Sequence, residues 1–148
     1  MKYNLDTTVN HRVATLARLL KRQIFRLIAE RGMDITPEQW VVLYYLWEKD
    51  GQTLGELVGK TRKDFANVTR IVEKLVRQGY VEKRKNPQDS RSCKIYVLPA
   101  GEAIREDIFR LWEESAAISL QGISSEEQQV LLDVLAKMEA NIVAAANA

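Results

Sequence analysis

Only one cysteine and one histidine occur among the 148 residues, and that scarcity removes several kinds of protein at once. A single cysteine cannot form an intramolecular disulfide, and one cysteine with one histidine supplies too few soft ligands for a structural zinc site. The chain also lacks a glycine-rich phosphate loop, an HExxH pair and a GxSxG elbow, so the common metal and nucleophile chemistries have no carrier. An enzyme is therefore not expected, and neither is a cofactor. No window approaches the roughly 20 apolar residues that a membrane span requires. The opening Met1 to Asn10 lacks the basic, then apolar, then small-residue order of a secretory signal. A cytoplasmic protein with no membrane role is expected. With 46% hydrophobic and 28% charged residues, the length suits one globular domain over 1–148.

What the chain does have is charge gathered in one place. Lys60 to Lys94 holds eleven Lys and Arg against four acids, a net of +7 in a chain whose total is +2, so everything outside that segment sums to −5. A polyanion such as duplex DNA is the partner this implies, because cations that neutralise phosphates release condensed counterions.

The apolar spacing supplies the elements. Val13, Leu16, Ala17, Leu20, Ile24, Leu27 and Ile28 recur at three and four between Thr8 and Arg31, the period of an amphipathic helix, and Gly32 stops it. Thr36-Pro37-Glu38-Gln39 opens a second helix with a cap, a proline at the first helical position and a returning Gln, and Asp50-Gly51 closes it. Thr53 with Glu56 opens a short third helix, and Asp64 caps a fourth from about Phe65 to Gln78 that Gly79 ends. Tyr80 to Lys85 and Lys94 to Leu98, on either side of a Pro/Asn/Asp/Ser turn, read as a β-hairpin. Pro99 starts a long helix through about Leu120, Gly122 breaks it, and Ser124 with Glu127 caps a last helix whose Ala-rich end, Ala144 to Ala148, is expected to fray. The expected fold is mainly α with a small β-hairpin wing, in the order α-α-α-α-β-β-α-α.

Four blocks, Thr53-Leu54-Gly55-Glu56-Leu57, Val68 to Leu75, Gly79 to Arg84 and Asp89-Ser90-Arg91, resemble in order and spacing the MarR family of winged helix-turn-helix regulators. The flanking helices extend the resemblance over essentially the whole chain. It implies a winged helix-turn-helix over about 36–98, with about 1–35 and 99–148 as dimerisation helices that interlock in an obligate homodimer and present two heads to adjacent major grooves. The residues agree in one respect: Leu16, Leu20, Ile24, Ile108, Leu111, Leu131, Leu135 and Ile142 form apolar stripes with little in so short a chain to cover them. Two positions depart from the family pattern. Thr61-Arg62-Lys63-Asp64 stands where a Gly followed by an apolar residue is usual. Leu98 replaces a Thr that commonly caps the helix after the wing, at a cost of roughly 1 kcal/mol that Pro99 partly offsets by pre-setting the first turn.

The candidate site follows. Asn67, Thr69, Arg70 and Lys74 lie on or near the exposed side of the recognition helix, where Asn and Arg offer paired hydrogen bonds to adenine and guanine edges; the competing view is a solvated helix face with Arg70 paired to Glu73 or Glu82. Arg62 and Lys63 fall beside a helix N-terminus, which suits phosphate, or else serve solubility. By the resemblance, Arg91 in Asp89-Ser90-Arg91 enters the minor groove. Asp89 holds the turn backbone or a neighbouring arginine, with Arg84 the candidate partner. Trp40, Tyr44, Trp47 and Trp112 are core aromatics or the lining of an effector pocket at the junction of the first, second and fifth helices, with Arg12 or Arg18 as the cation for a small aromatic anion. Cys93 beside Arg91 and Lys94 is an inert strand residue or a redox sensor. His11 is expected at the surface or a dimer contact. The expected function is a ligand-responsive repressor that binds a pseudo-palindromic operator as a homodimer. The rivals are a winged-helix module for an acidic protein partner and a redox-sensing regulator acting through Cys93.

Overall fold

Side-chain caps mark where most of the helices begin. In the computed structural model, which describes residues 2–148, helix α1 spans Val9–Glu30 behind a 3-10 turn at Leu5–Thr7, and α2 spans Pro37–Glu48. Thr36 accepts from the Gln39 amide while the Gln39 side chain accepts from Thr36 N, a complete capping box with Pro37 in the first turn. Strand β1 is only Gln52–Thr53; α3 is Leu54–Thr61 and α4 is Phe65–Arg77. Thr53 and Asp64 cap α3 and α4 through the amides of Glu56 and Asn67. Strands β2 (Val81–Asn86) and β3 (Asp89–Val97) follow, then α5 (Pro99–Ala103), α6 (Arg105–Ser119) and α7 (Ser125–Ala146).

The structure differs from the sequence reading in four places. The wing turn is tighter than expected: β3 starts at Asp89, Asn86 pairs with Asp89, and only Pro87 and Gln88 lie between the strands. Asn86 is nearly buried because its carbonyl accepts from Gln88 N and its amide donates to Ser92 Oγ, so a polar residue organises the tip from inside. The long helix after the wing is two helices, divided at Ile104. The β1 strand was not anticipated; two residues carry no periodicity, and β1 exists because Gln52 and Thr53 pair with Ile95 and Lys94 in an antiparallel sheet of order β1-β3-β2. At the other end, α7 stays helical to Ala146 rather than fraying from Ala144.

The chain divides into two compact units, one ending at Ser115 and the other beginning at Ala116. In the first, Leu27, Ile35, Trp40, Val42, Leu43, Leu46, Leu57, Val68, Val72, Leu75, Val81, Ile95, Ile108 and Leu111 form one continuous core. Buried Gln39 donates to Gln78, whose amide donates to the Asp34 carbonyl, while buried Gln52 donates to the last carbonyls of α2 at Tyr45 and Lys49. Gly101 lets α5 approach β2, since a Cβ there would stand 2.3 Å from the Tyr80 carbonyl oxygen. In the second unit, Gly122 takes a left-handed φ of +77 and Ser124 with Glu127 closes a capping box on α7. Among the described residues no helix is long and apolar enough to cross a membrane.

Candidate nucleic-acid interface

Helix α4 hides one face and displays the other. Val68, Ile71, Val72 and Leu75 are buried, which turns Phe65, Ala66, Arg70, Glu73, Lys74 and Arg77 outward. Its N-terminus is closed by Asp64. The turn before it runs through Arg62 at φ 59 and ψ 22, a left-handed conformation that suits glycine and costs an ordinary residue roughly 1–2 kcal/mol. A cation thus stands at a position where the backbone alone would favour glycine.

Several of the expected side chains are already engaged. Arg70 donates to the Asn67 side-chain Oδ1 at 3.1 Å rather than pairing with Glu73 or Glu82. Glu73 instead faces Lys83 at 3.9 Å, tying α4 to β2. The Thr69 hydroxyl donates to the Phe65 carbonyl at 2.8 Å. Lys74 is exposed and lines a groove with Thr36, Glu38, Asn67 and Arg70.

In the wing, Asp89 does not hold Arg84. Its Oδ1 accepts from Arg91 N at 3.0 Å and Arg91 Nε at 3.3 Å, so it braces its own turn and the base of that arginine, while the Arg91 side chain stays 91% exposed. Ser90 is exposed beside it. Arg84 lies 4.1 Å above the Tyr96 ring and pairs with Glu82 at 2.5 Å. Tyr96 in turn packs against Gly51, where a Cβ would meet its ring at 2.8 Å. Cys93 is half-buried opposite Lys85, and His11 is half-buried on α1.

The aromatic residues come together. Trp112 makes edge contacts with Trp40 at 5.8 Å and Tyr44 at 5.6 Å, and Phe109 bridges Trp112 to Trp47. Trp40 is buried with the core yet borders a groove of about 380 Å³ that also takes in Leu20, Lys21, Ile24, Val41 and Lys63. Arg12 and Arg18 do not enter it: Arg12 donates to the Asp6 carbonyl in a separate groove, and Arg18 donates to Thr15. The Tyr44 hydroxyl is held above its ordinary value of 10.0 by its bond to Glu48 and the charge of that carboxylate, so it remains a neutral donor at physiological pH.

Sequence reasoning passed over Phe65, Lys21, Tyr96 and Asn86. Phe65 was readable, since it follows the Asp64 cap and falls outside the buried stripe of its helix. Lys21 and Tyr96 were not, because their roles depend on residues far along the chain.

A capped, half-buried helix with cationic neighbours, followed by an extended hairpin with an exposed arginine at its tip, defines a winged helix-turn-helix DNA-binding transcriptional regulator. The chain belongs to the MarR family: residues 35–93 match the sequence profile of that family. YsmB, an uncharacterized HTH-type transcriptional regulator of Bacillus subtilis (strain 168), is 29% identical over 124 residues, which is 80% of this chain and 85% of YsmB. A MarR protein of Peptoclostridium difficile DA00132 superposes with a TM-score of 0.84 at 26% identity, over 96% of this chain and 91% of that one. BpsR of Bordetella bronchiseptica, whose DNA binding is regulated by 6-hydroxynicotinic acid, superposes with a TM-score of 0.86 at 22% identity, over 94% and 98% of the two chains.

Proposed function

We propose that this regulator is a repressor that binds a pseudo-palindromic operator as a homodimer and releases it when a small aromatic anion binds. The observation that carries the DNA-contact assignment is the concentration of exposed cationic side chains on one helix and one hairpin tip. Arg62 and Lys63 meet phosphate beside the N-terminus of α4, Asn67, Thr69, Arg70 and Lys74 lie along the major groove, and Arg91, set by Asp89 and flanked by Ser90, reaches the minor groove. Arg84, stacked on Tyr96, acts from the wing base. The homodimer is supported by the apolar side chains that α1 and α7 leave exposed, among them Leu16, Leu19, Val130 and Ile142.

Effector control has its support in the Trp40 groove. Lys21 and Lys63, two cations against the one carboxylate of Glu38, border an aromatic and aliphatic lining there, a combination that suits a flat anion such as 6-hydroxynicotinic acid, the regulator of BpsR. Lys63 immediately precedes the Asp64 cap of α4, so an anion in the groove competes with DNA phosphate for one ammonium.

The test combines footprinting of the upstream DNA with affinity measurements across salt. Half-sites should lie about 10 bp apart on one face of the duplex, and log affinity should fall with log salt at roughly −0.9 per phosphate contacted. Arg91→Ala should weaken binding with circular dichroism and size unchanged; normal binding by that variant removes the wing assignment. For the effector, 6-hydroxynicotinic acid or salicylate should quench tryptophan fluorescence saturably and release operator, and Lys63→Gln should blunt both responses. Release by peroxide alone, abolished by Cys93→Ser, would replace this mechanism with redox sensing.

A further inference from the structure

We propose that Phe65, with Ala66 beside it, reads the C5-methyl groups of thymine in the major groove, which makes Phe65 a specificity-determining residue of the DNA-binding helix. The inference rests on the DNA-facing orientation of α4. Phe65 is the first residue of that helix and is 58% exposed, although every apolar side chain on the buried stripe of α4 is essentially inaccessible. It belongs to no core cluster, and Arg62, Lys63 and Asp64 precede it directly in the chain. A phenyl ring more than half in water gains little from folding, because most of its surface has not been transferred out of water. Ala66, the next residue, is also exposed.

The polar side chains of the same turn are committed in a way that sharpens the point. The Thr69 hydroxyl hydrogen is used by the Phe65 carbonyl, and the Asn67 side-chain Oδ1 is used by Arg70. Beside the Asn67 amide hydrogens, what the first turn of α4 offers outward is a ring and a methyl. The N-terminal residues of a recognition helix are the ones that meet base edges. In the major groove those edges carry hydrogen-bond donors, acceptors and one apolar group, the thymine methyl. The cations that precede Phe65 bring a polyanion to this surface, and the thymine methyl is the part of it that an exposed ring complements.

The experiment uses the full-length protein and duplexes it selects from a randomised library. In the selected half-sites each thymine is replaced in turn by deoxyuridine, which deletes the methyl and nothing else. Wild type should lose about three- to fivefold in affinity for each methyl removed from its contact, at one or two positions per half-site. Phe65→Ala should lose a similar factor on the thymine duplex and then be indifferent to uridine at those positions; Phe65→Leu should retain part of the discrimination. Circular dichroism and sizing should be unchanged in both variants. The proposal is overturned if wild type ignores uridine at every position, if no thymine is selected, or if Phe65→Ala weakens both duplexes while keeping the uridine response. The last result would make the ring a contact to backbone or a wedge between base steps. Failure of wild type to select any sequence would remove sequence-specific DNA binding itself, and this proposal with it.

Discussion

Helix α4 buries Val68, Ile71, Val72 and Leu75 within 13 residues, whereas α7, with 22 residues, buries none. Both have apolar residues at helical spacing. In α4 the stripe is consumed by the core of its own unit, which fixes the opposite face as a rigid surface. In α7 Val130, Leu131, Leu132, Val134, Ile142 and Val143 stay between 45% and 68% exposed, and the first half of α1 behaves similarly at Val9, Leu16 and Leu19. The difference separates one helix that is positioned by folding from two that leave apolar surface uncovered, the surface on which the proposed homodimer rests.

The strongest way to break this comparison is to charge the exposed stripe. Leu131→Glu with Val134→Glu should leave the head folded but yield a monomer by sedimentation. Loss of two-headed binding should weaken operator affinity by on the order of 10² to 10⁴. A variant that stays dimeric and binds normally would mean that this face of α7 serves something else. The mirror-image change, Leu75→Ala in the consumed stripe of α4, should cost about 2–5 kcal/mol in urea unfolding and remove DNA binding with it.

A smaller loss is expected at the support of the reading head. Gly101→Ala forces a methyl against the Tyr80 carbonyl and should destabilise by about 1–3 kcal/mol, seen as a lower melting temperature. Arg62→Gly should do the opposite, raising stability by roughly 1 kcal/mol through release of the left-handed backbone while lowering DNA affinity; a variant that is both less stable and equally tight would show that the turn is not where function and stability compete.

The smallest effect concerns the start of α7. Bonds from Ser124 to the Glu127 carboxylate hold that group below its ordinary value of 4.5. A carboxyl that ionises more readily when folded contributes stability that is fully present above about pH 4.5 and fades as the pH falls through its lower folded value. Glu127→Gln should therefore flatten the acid limb of the stability curve slightly and leave neutral-pH unfolding nearly unchanged.

Much of the fold was written locally. The caps at Thr36, Thr53, Asp64 and Ser124, and the left-handed glycines at 32, 79 and 122, act within a few residues of themselves, so type and spacing were enough to place those seven element boundaries within a few residues. The cationic character of α4 and the wing was equally plain in the order of the residues. Tertiary structure alone decided the rest. Two residues became β1 because β3 was there to pair with them, and Arg84 stacks on Tyr96 because the antiparallel register sets Tyr96 opposite Glu82, two residues before Arg84 on its own strand. Lys63, expected at phosphate or as a solubilising charge, also borders the Trp40 groove, since α1 and α2 bring Lys21 and Trp40 to it from more than twenty positions away. Short-range hydrogen bonds leave a signature in spacing because chain geometry guarantees the encounter. Long-range contacts leave none, because which faces meet is settled by the packing of the whole core.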